Sequence, residues 1–307
     1  MTVGQKLKKS SADNTDQRHP VKYAHRLLSI CSLHCLFALA RVLGWIVSRT
    51  PNQISRQARA NIELCFPELT PTRQRVLVRH SIHPTCCSLL ELAFLWHHPV
   101  EQVLQRIDID WIDPGFSNDQ SAKIIIAPHQ GSWELLNYWL AQATENSFLA
   151  IYKPATSQRL NNYIRHHRSR TGARLVPTTT AGMRKLLKAL KQQASCMILP
   201  DQRPKRGTAQ AVAPFFSYPA RTSLLVKNLV QRSDAKVYIA TATRELEKGR
   251  YKIRVEALDR EQIAQDDTAS AAYLNHAIEQ LVRQEISQYQ WSYRRFDKDI
   301  YPPRSSD

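Results

Sequence analysis

Between Ala122 and Pro200 the chain alternates short apolar runs with helix-patterned segments, and this alternation limits its fold more than any other feature. The runs AKIIIA (Ala122–Ala127), SFLAIY (Ser147–Tyr152), ARLVP (Ala173–Pro177) and SCMILP (Ser195–Pro200) have the length and β-branching of buried strands. Between them lie ELLNYWLAQ (Glu134–Gln142), LNNYIRHHRSR (Leu160–Arg170) and MRKLLKALKQQ (Met183–Gln193), each with helical periodicity. Strand and helix in strict turn predict βαβ units, hence an α/β fold with a mostly parallel sheet flanked by helices. Upstream, residues 52–98 read as helices, with Thr70-Pro71 as a start signal and Pro84 as a break before SLLELAFLW resumes at Ser88. Residues 112–121 read as a turn-rich connector. Downstream come a helix over 223–232, paired strands around Lys248-Gly249, and a last helix near 271–287.

Composition narrows what this core does. Neither GxGxxG nor GxxxxGK[ST] occurs, and the whole chain has only 8 glycines, so dinucleotide and P-loop chemistry drop out. The six cysteines form no CxxC pattern, which argues against structural zinc and a disulfide framework. The formal charge of +17 sits in two blocks, a net +8 over residues 1–60 and +12 over 151–210. Such blocks suit anionic partners: a membrane surface, an acidic protein, a phosphorylated substrate or nucleic acid. No helix-turn-helix, RRM or OB signature supports nucleic acid. Residues 1–26 read as a basic polar tail and 27–48 as a hydrophobic helix. His34 and Arg41 interrupt that helix's apolar run, leaving open a membrane span, an interfacial helix or a buried core helix. The remainder, 49–307, reads as one domain.

The chemistry concentrates in IIIAPHQGSWELL, Ile124–Leu136. On a single helix His129 and Glu134 would point about 140° apart. They meet only if His129 lies in the loop after the strand and Glu134 in the first helical turn, a layout favoured by Pro128, Gly131 and a capping Ser132. The carboxylate would then orient the imidazole as a general base for a hydroxyl. The loop also follows the C-terminal end of a strand, where open α/β sheets place their sites. A solvated loop histidine beside a helix-capping glutamate is the alternative. No G-x-S-x-G elbow surrounds Ser132, which argues against a serine nucleophile.

HQGSWELL resembles the HxxxxE motif of the bacterial lipid A biosynthesis acyltransferase family, the late lauroyl and myristoyl transferases and their relatives. Five further segments resemble that family in order: ANIELCFPELTPTRQR (Ala60–Arg75), IYKP (Ile151–Pro154), ILPDQRPKRG (Ile198–Gly207), PFF (Pro214–Phe216) and QYQWSYRRF (Gln288–Phe296). The resemblance implies a glycerol-3-phosphate acyltransferase-like fold, with 49–307 as the acyltransferase domain and 27–48 as a membrane helix. It implies His129 and Glu134 as a catalytic dyad, and Arg165, Arg168 or Arg170 as a basic group supporting the site. Lys153, Asp201 and Gln202 fall in motifs that contact substrate. It implies no metal and no cofactor. The implied donor is acyl-acyl carrier protein, the acceptor a phosphorylated glycolipid, and the place the cytoplasmic face of the bacterial inner membrane, against its anionic surface. Ser217, Tyr293 and Lys153 depart from the family's usual residues, which keeps a lysophospholipid or another glycolipid open as acceptor.

Overall fold

The computed structural model of the protein describes residues 20–117, 119–144 and 147–301. Most of the expected basic tail lies outside the described residues. The chain runs through α1 (Pro20–Leu28), α2 (Leu33–Arg49), α3 (Gln53–Cys65), α4 (Pro71–His97) and α5 (Val100–Leu104) before its first strand. It continues with β1 (Ile107–Ile112), α6 (Pro114–Ser117), β2 (Lys123–Ile126), α7 (Trp133–Ala143), β3 (Phe148–Tyr152), α8 (Gln158–Ser169), β4 (Arg174–Pro177), α9 (Thr180–Leu190) and β5 (Ser195–Ile198). It ends with β6 (Gln210–Phe215), β7 (Tyr218–Ser223), α10 (Leu225–Val230), β8 (Lys236–Glu245), β9 (Arg250–Leu258), α11 (Arg260–Ala264) and α12 (Asp267–Gln284).

Among the described residues, seven strands form one sheet in the order β1-β9-β8-β2-β5-β3-β4, and β6 pairs with β7 as a separate hairpin. Every pairing in the large sheet is parallel except β8 with β9. β2 lies centrally and is buried along its whole length. Ile124 and Ile126 join one core with α3, α9 and α12, while Ile125 joins the other with α2, α4 and α7. Burial on both faces explains why β2 reads as a continuous apolar run.

Two expectations need correction, and one pair of strands is new. The hydrophobic segment is not one helix: the chain breaks between Leu28 and Leu33, and α1 and α2 are bent by 119°. Ser32 caps α2 by accepting from Cys35 N–H, which fixes the break. Pro84 does not end its helix, because α4 runs through it. The hydroxyls of Thr85 and Ser88 donate to the Ser81 and Pro84 carbonyls around the proline. The hairpin β6–β7 forms from a stretch to which the sequence assigned no element, and its Pro214 and Pro219 face each other across the pair. A two-stranded ribbon is all edge, where proline is tolerated.

Candidate active site

The register of β2 against β5 builds the site. Ile126 pairs with Ile198, and Ala127 N–H donates to the Ile198 carbonyl. Three residues beyond this pair lie His129 on one strand end and Asp201 on the other. They therefore meet at the C-terminal edge of the sheet. His129 Nδ1 lies 2.7 Å from Asp201 Oδ1, and the His129 backbone N–H donates to Asp201 Oδ2 at 2.9 Å. One carboxylate thus clamps His129 twice, its imidazole through Oδ1 and its backbone through Oδ2. Nδ1–H donating to Asp201 leaves Nε2 as the acceptor, and the Gln202 amide donates to it at 3.1 Å.

Asp201 is buried. Burial alone would raise its pKa, but the charge and hydrogen bonds of His129, aided by Arg295, hold it below the ordinary carboxylate value. A carboxyl whose folded pKa is depressed stabilises the fold above its unfolded value of about 3.9 and loses that contribution as pH falls through the folded value. Stability followed by circular dichroism should therefore drop below about pH 4, and Asp201→Asn should show a shallower drop.

Glu134 does not make the expected contact with His129. It starts α7, where its carboxylate turns toward α8 and α4. Arg168 Nε donates to both Glu134 oxygens at 3.0 and 3.1 Å, Arg168 Nη2 donates at 2.8 Å, and Trp96 Nε1 donates at 3.1 Å. Burial alone would lower the Arg168 pKa, but Glu134 holds it above the ordinary value. Arg168 also lies over the Trp133 ring, 5.4 Å from its centroid, and Trp133 meets the His129 ring edge-on at 5.7 Å. His129, Glu134 and Arg168 line one cavity of about 290 Å³, whose remaining wall includes Leu89, Leu92, Trp96, Trp133 and Ile164. The geometry thus offers a base with its own carboxylate, and beside it a half-buried, carboxylate-held guanidinium.

The other candidates separate. Gln202 touches His129. Arg170 donates to the carbonyls of Trp96 and His98, so it ties the end of α4 to α8. Arg165 and Lys153 are exposed and lie outside the cavity lining.

The loop bearing His129 is held on every side. Gly131 N–H donates to the Gln288 carbonyl, Ser132 N–H to the Ala242 carbonyl, and Gln290 N–H to the His129 carbonyl. Gly131 has φ +59°, and a Cβ there would collide with the Ala242 carbonyl, so the turn demands glycine. Ser132 does not cap α7 with its side chain as expected. Its hydroxyl donates instead to Glu91 Oε1 at 2.8 Å. Glu91 is buried in α4 and accepts two bonds from Arg244, at 2.7 and 2.5 Å, and one from the Tyr251 hydroxyl at 3.1 Å. Sequence reasoning missed this pair, although Glu91 is a lone acid in an apolar helical run.

The motifs outside the cavity brace one another. Asn61 donates to the carbonyls of Trp291 and Tyr293 at 2.6 and 2.7 Å. Phe66, Phe216 and Trp291 pack edge to face, with centroids 5.2 to 5.8 Å apart. Three separated sequence segments thus form one support under the C-terminal stretch that closes over His129.

A family model described as bacterial lipid A biosynthesis acyltransferase matches residues 22–298. The chain belongs to this family. It is therefore an acyltransferase, as six ordered motifs led us to expect. Among relatives, it is 22% identical over 257 residues to a lipid A biosynthesis acyltransferase of Haemophilus influenzae, covering 82% of this chain and 81% of that protein. It is 24% identical over 242 residues to the lipid A biosynthesis palmitoleoyltransferase of Escherichia coli K12, covering 78% of this chain and 77% of that one. A lipid A biosynthesis acyltransferase of Shigella flexneri matches to the same extent. For a member of the lipid A acyltransferase family, the cavity beside His129 is the candidate active site.

Proposed function

We propose that this acyltransferase moves a fatty acyl chain from acyl-acyl carrier protein to a hydroxyl of a lipid A precursor, at the cytoplasmic face of the bacterial inner membrane. The observation that carries the chemistry is the His129 imidazole held at Nδ1 by buried Asp201, with Nε2 directed to Gln202 beside a largely apolar cavity. Nε2 takes the proton of the acceptor hydroxyl as its oxygen attacks the thioester carbonyl. The Asp201 carboxylate stabilises the imidazolium so formed. Arg168, positioned by Glu134, and the N–H groups of the first turn of α7 meet the oxyanion of the tetrahedral intermediate. Collapse expels the carrier thiolate, which receives the proton from His129. Glu134 thus serves the reaction through Arg168. The names of the relatives support the acceptor.

Membrane association is supported by the α1–α2 pair. Among the described residues no single helix is long and apolar enough to cross a membrane. One face of α2 packs inward through Leu36, Phe37 and Ala40, while Val42, Trp45 and Ile46 are exposed on the other. Leu27 and Ile30, at the bend, are 70% and 83% exposed. Apolar side chains on both faces suit a helix that packs on the protein and dips into the acyl boundary. Exposed Arg184, Lys185 and Lys188 on α9 suit an acidic carrier protein.

The test uses detergent-solubilised protein, acyl-acyl carrier protein and a lipid A precursor. The product should gain the mass of one acyl chain. Transfer to a lysophospholipid but not to the lipid A precursor would overturn the acceptor. Transfer from acyl-coenzyme A but not from the carrier protein would overturn the donor.

A further inference from the structure

Helix α8 has two working faces. Ile164 and Arg168 line the cavity beside His129. Arg159, Tyr163, His166 and His167 line a second cavity of about 550 Å³, completed by Lys22 and Arg26 of α1 and by His97 at the end of α4. No carboxylate lines it. Among the described residues, no carboxylate pairs with Lys22, Arg26 or Arg159. The Tyr163 hydroxyl sits between His97 Nε2 at 3.1 Å and His25 Nδ1 at 3.3 Å, so hydrogen-bonding groups converge on the same place. Burial, and then the neighbouring His25, Arg170, Arg26 and His98, push the His97 pKa down. Burial, with His97 and His166, pushes His167 to about 3. Cations gathered without a counter-charge repel one another, and a bound anion relieves that repulsion.

We propose that this cavity binds a phosphate monoester carried on a lipid headgroup. Helix α1 points to a lipid source, because it presents Lys22 and Arg26 to the cavity and leaves Tyr23 and Leu27 exposed. Apolar side chains set in the acyl boundary place the neighbouring basic groups at headgroup depth. The inference rests on the reading of the protein as a membrane-associated lipid acyltransferase.

The experiment measures binding of the full chain to vesicles of phosphatidylcholine doped with phosphatidic acid, a monoester, or with phosphatidylglycerol, a diester, at matched surface charge. Wild-type protein should prefer phosphatidic acid. The double variant Arg26→Gln/Arg159→Gln should lose that preference and bind phosphatidic acid vesicles about 30-fold more weakly, the product of two surface cations at roughly 1 kcal/mol each. A control variant of exposed α9 residues, Arg184→Gln/Lys188→Gln, should keep the preference. Undiminished preference in the Arg26/Arg159 variant would overturn the site. Displacement by inorganic phosphate at the same concentration as the lipid phosphate would overturn the lipid source. Acyl transfer is measured separately on the same protein. Loss of the proposed reaction with monoester preference intact condemns the functional reading, whereas transfer without monoester preference condemns this cavity alone.

Discussion

Asp201→Asn is expected to slow acyl transfer by about 10²–10⁴-fold, the range of a general base, while the protein keeps its fold. The reason is the number of donors. Asp201 accepts from two N–H groups of the same residue, His129 Nδ1 and the His129 backbone nitrogen. An asparagine has one carbonyl oxygen for these two donors. The backbone N–H cannot rearrange, so the amide NH₂ is left facing Nδ1. Nδ1 must then accept, and the proton moves to Nε2, the nitrogen proposed to take the substrate's proton. The variant should therefore lose kcat with little change in KM. Glu134→Gln acts differently. It removes the charge that holds Arg168, so it should impair oxyanion stabilisation and leave the imidazole tautomer intact. Nitrogen NMR of the imidazole separates the two: Asp201→Asn should move the His129 proton from Nδ1 to Nε2, and Glu134→Gln should leave it on Nδ1.

Arg244→Met is expected to destabilise the protein by about 3–5 kcal/mol, because it leaves the Glu91 carboxylate buried without its counter-ion. Both side chains are 1% exposed, so solvent cannot replace the lost partner. Glu91 also accepts from Ser132 and Tyr251, and these two neutral donors do not balance a buried charge. Thermal denaturation read by circular dichroism checks the magnitude. Replacing both members of the pair by apolar residues should recover much of the loss. The pair also anchors Ser132, three residues from His129, so a surviving Arg244→Met protein should show lower kcat at temperatures where it is fully folded.

The central strands were legible because β2 and β5 are buried on both faces and so read as unbroken apolar runs. Their partnership was harder to see. Ile126-Ala127-Pro128-His129 and Ile198-Leu199-Pro200-Asp201 share one pattern, two strand ends each followed by proline and a titratable residue. That repetition was the available signal that His129 and Asp201 meet. Reading along the chain favoured Glu134, five residues from His129, over a residue 72 positions away. Proximity in sequence misled because α7 turns its first carboxylate toward α8. β1 was missed for a different reason. Its Asp108 and Asp110 are poor strand formers, held by Arg250 and Arg254 on β9 at 2.6 and 2.9 Å. The break between α1 and α2 hid inside an apolar run, where hydropathy does not register a serine cap.

Single-turnover acyl transfer to a lipid A precursor by wild-type protein and by His129→Ala, with folding of both verified by thermal denaturation, tests the base directly. If His129 is the base that deprotonates the acceptor hydroxyl, the variant should lose transfer by at least about 10²-fold while melting near the wild-type temperature. Transfer by folded His129→Ala within a few-fold of wild type would contradict it.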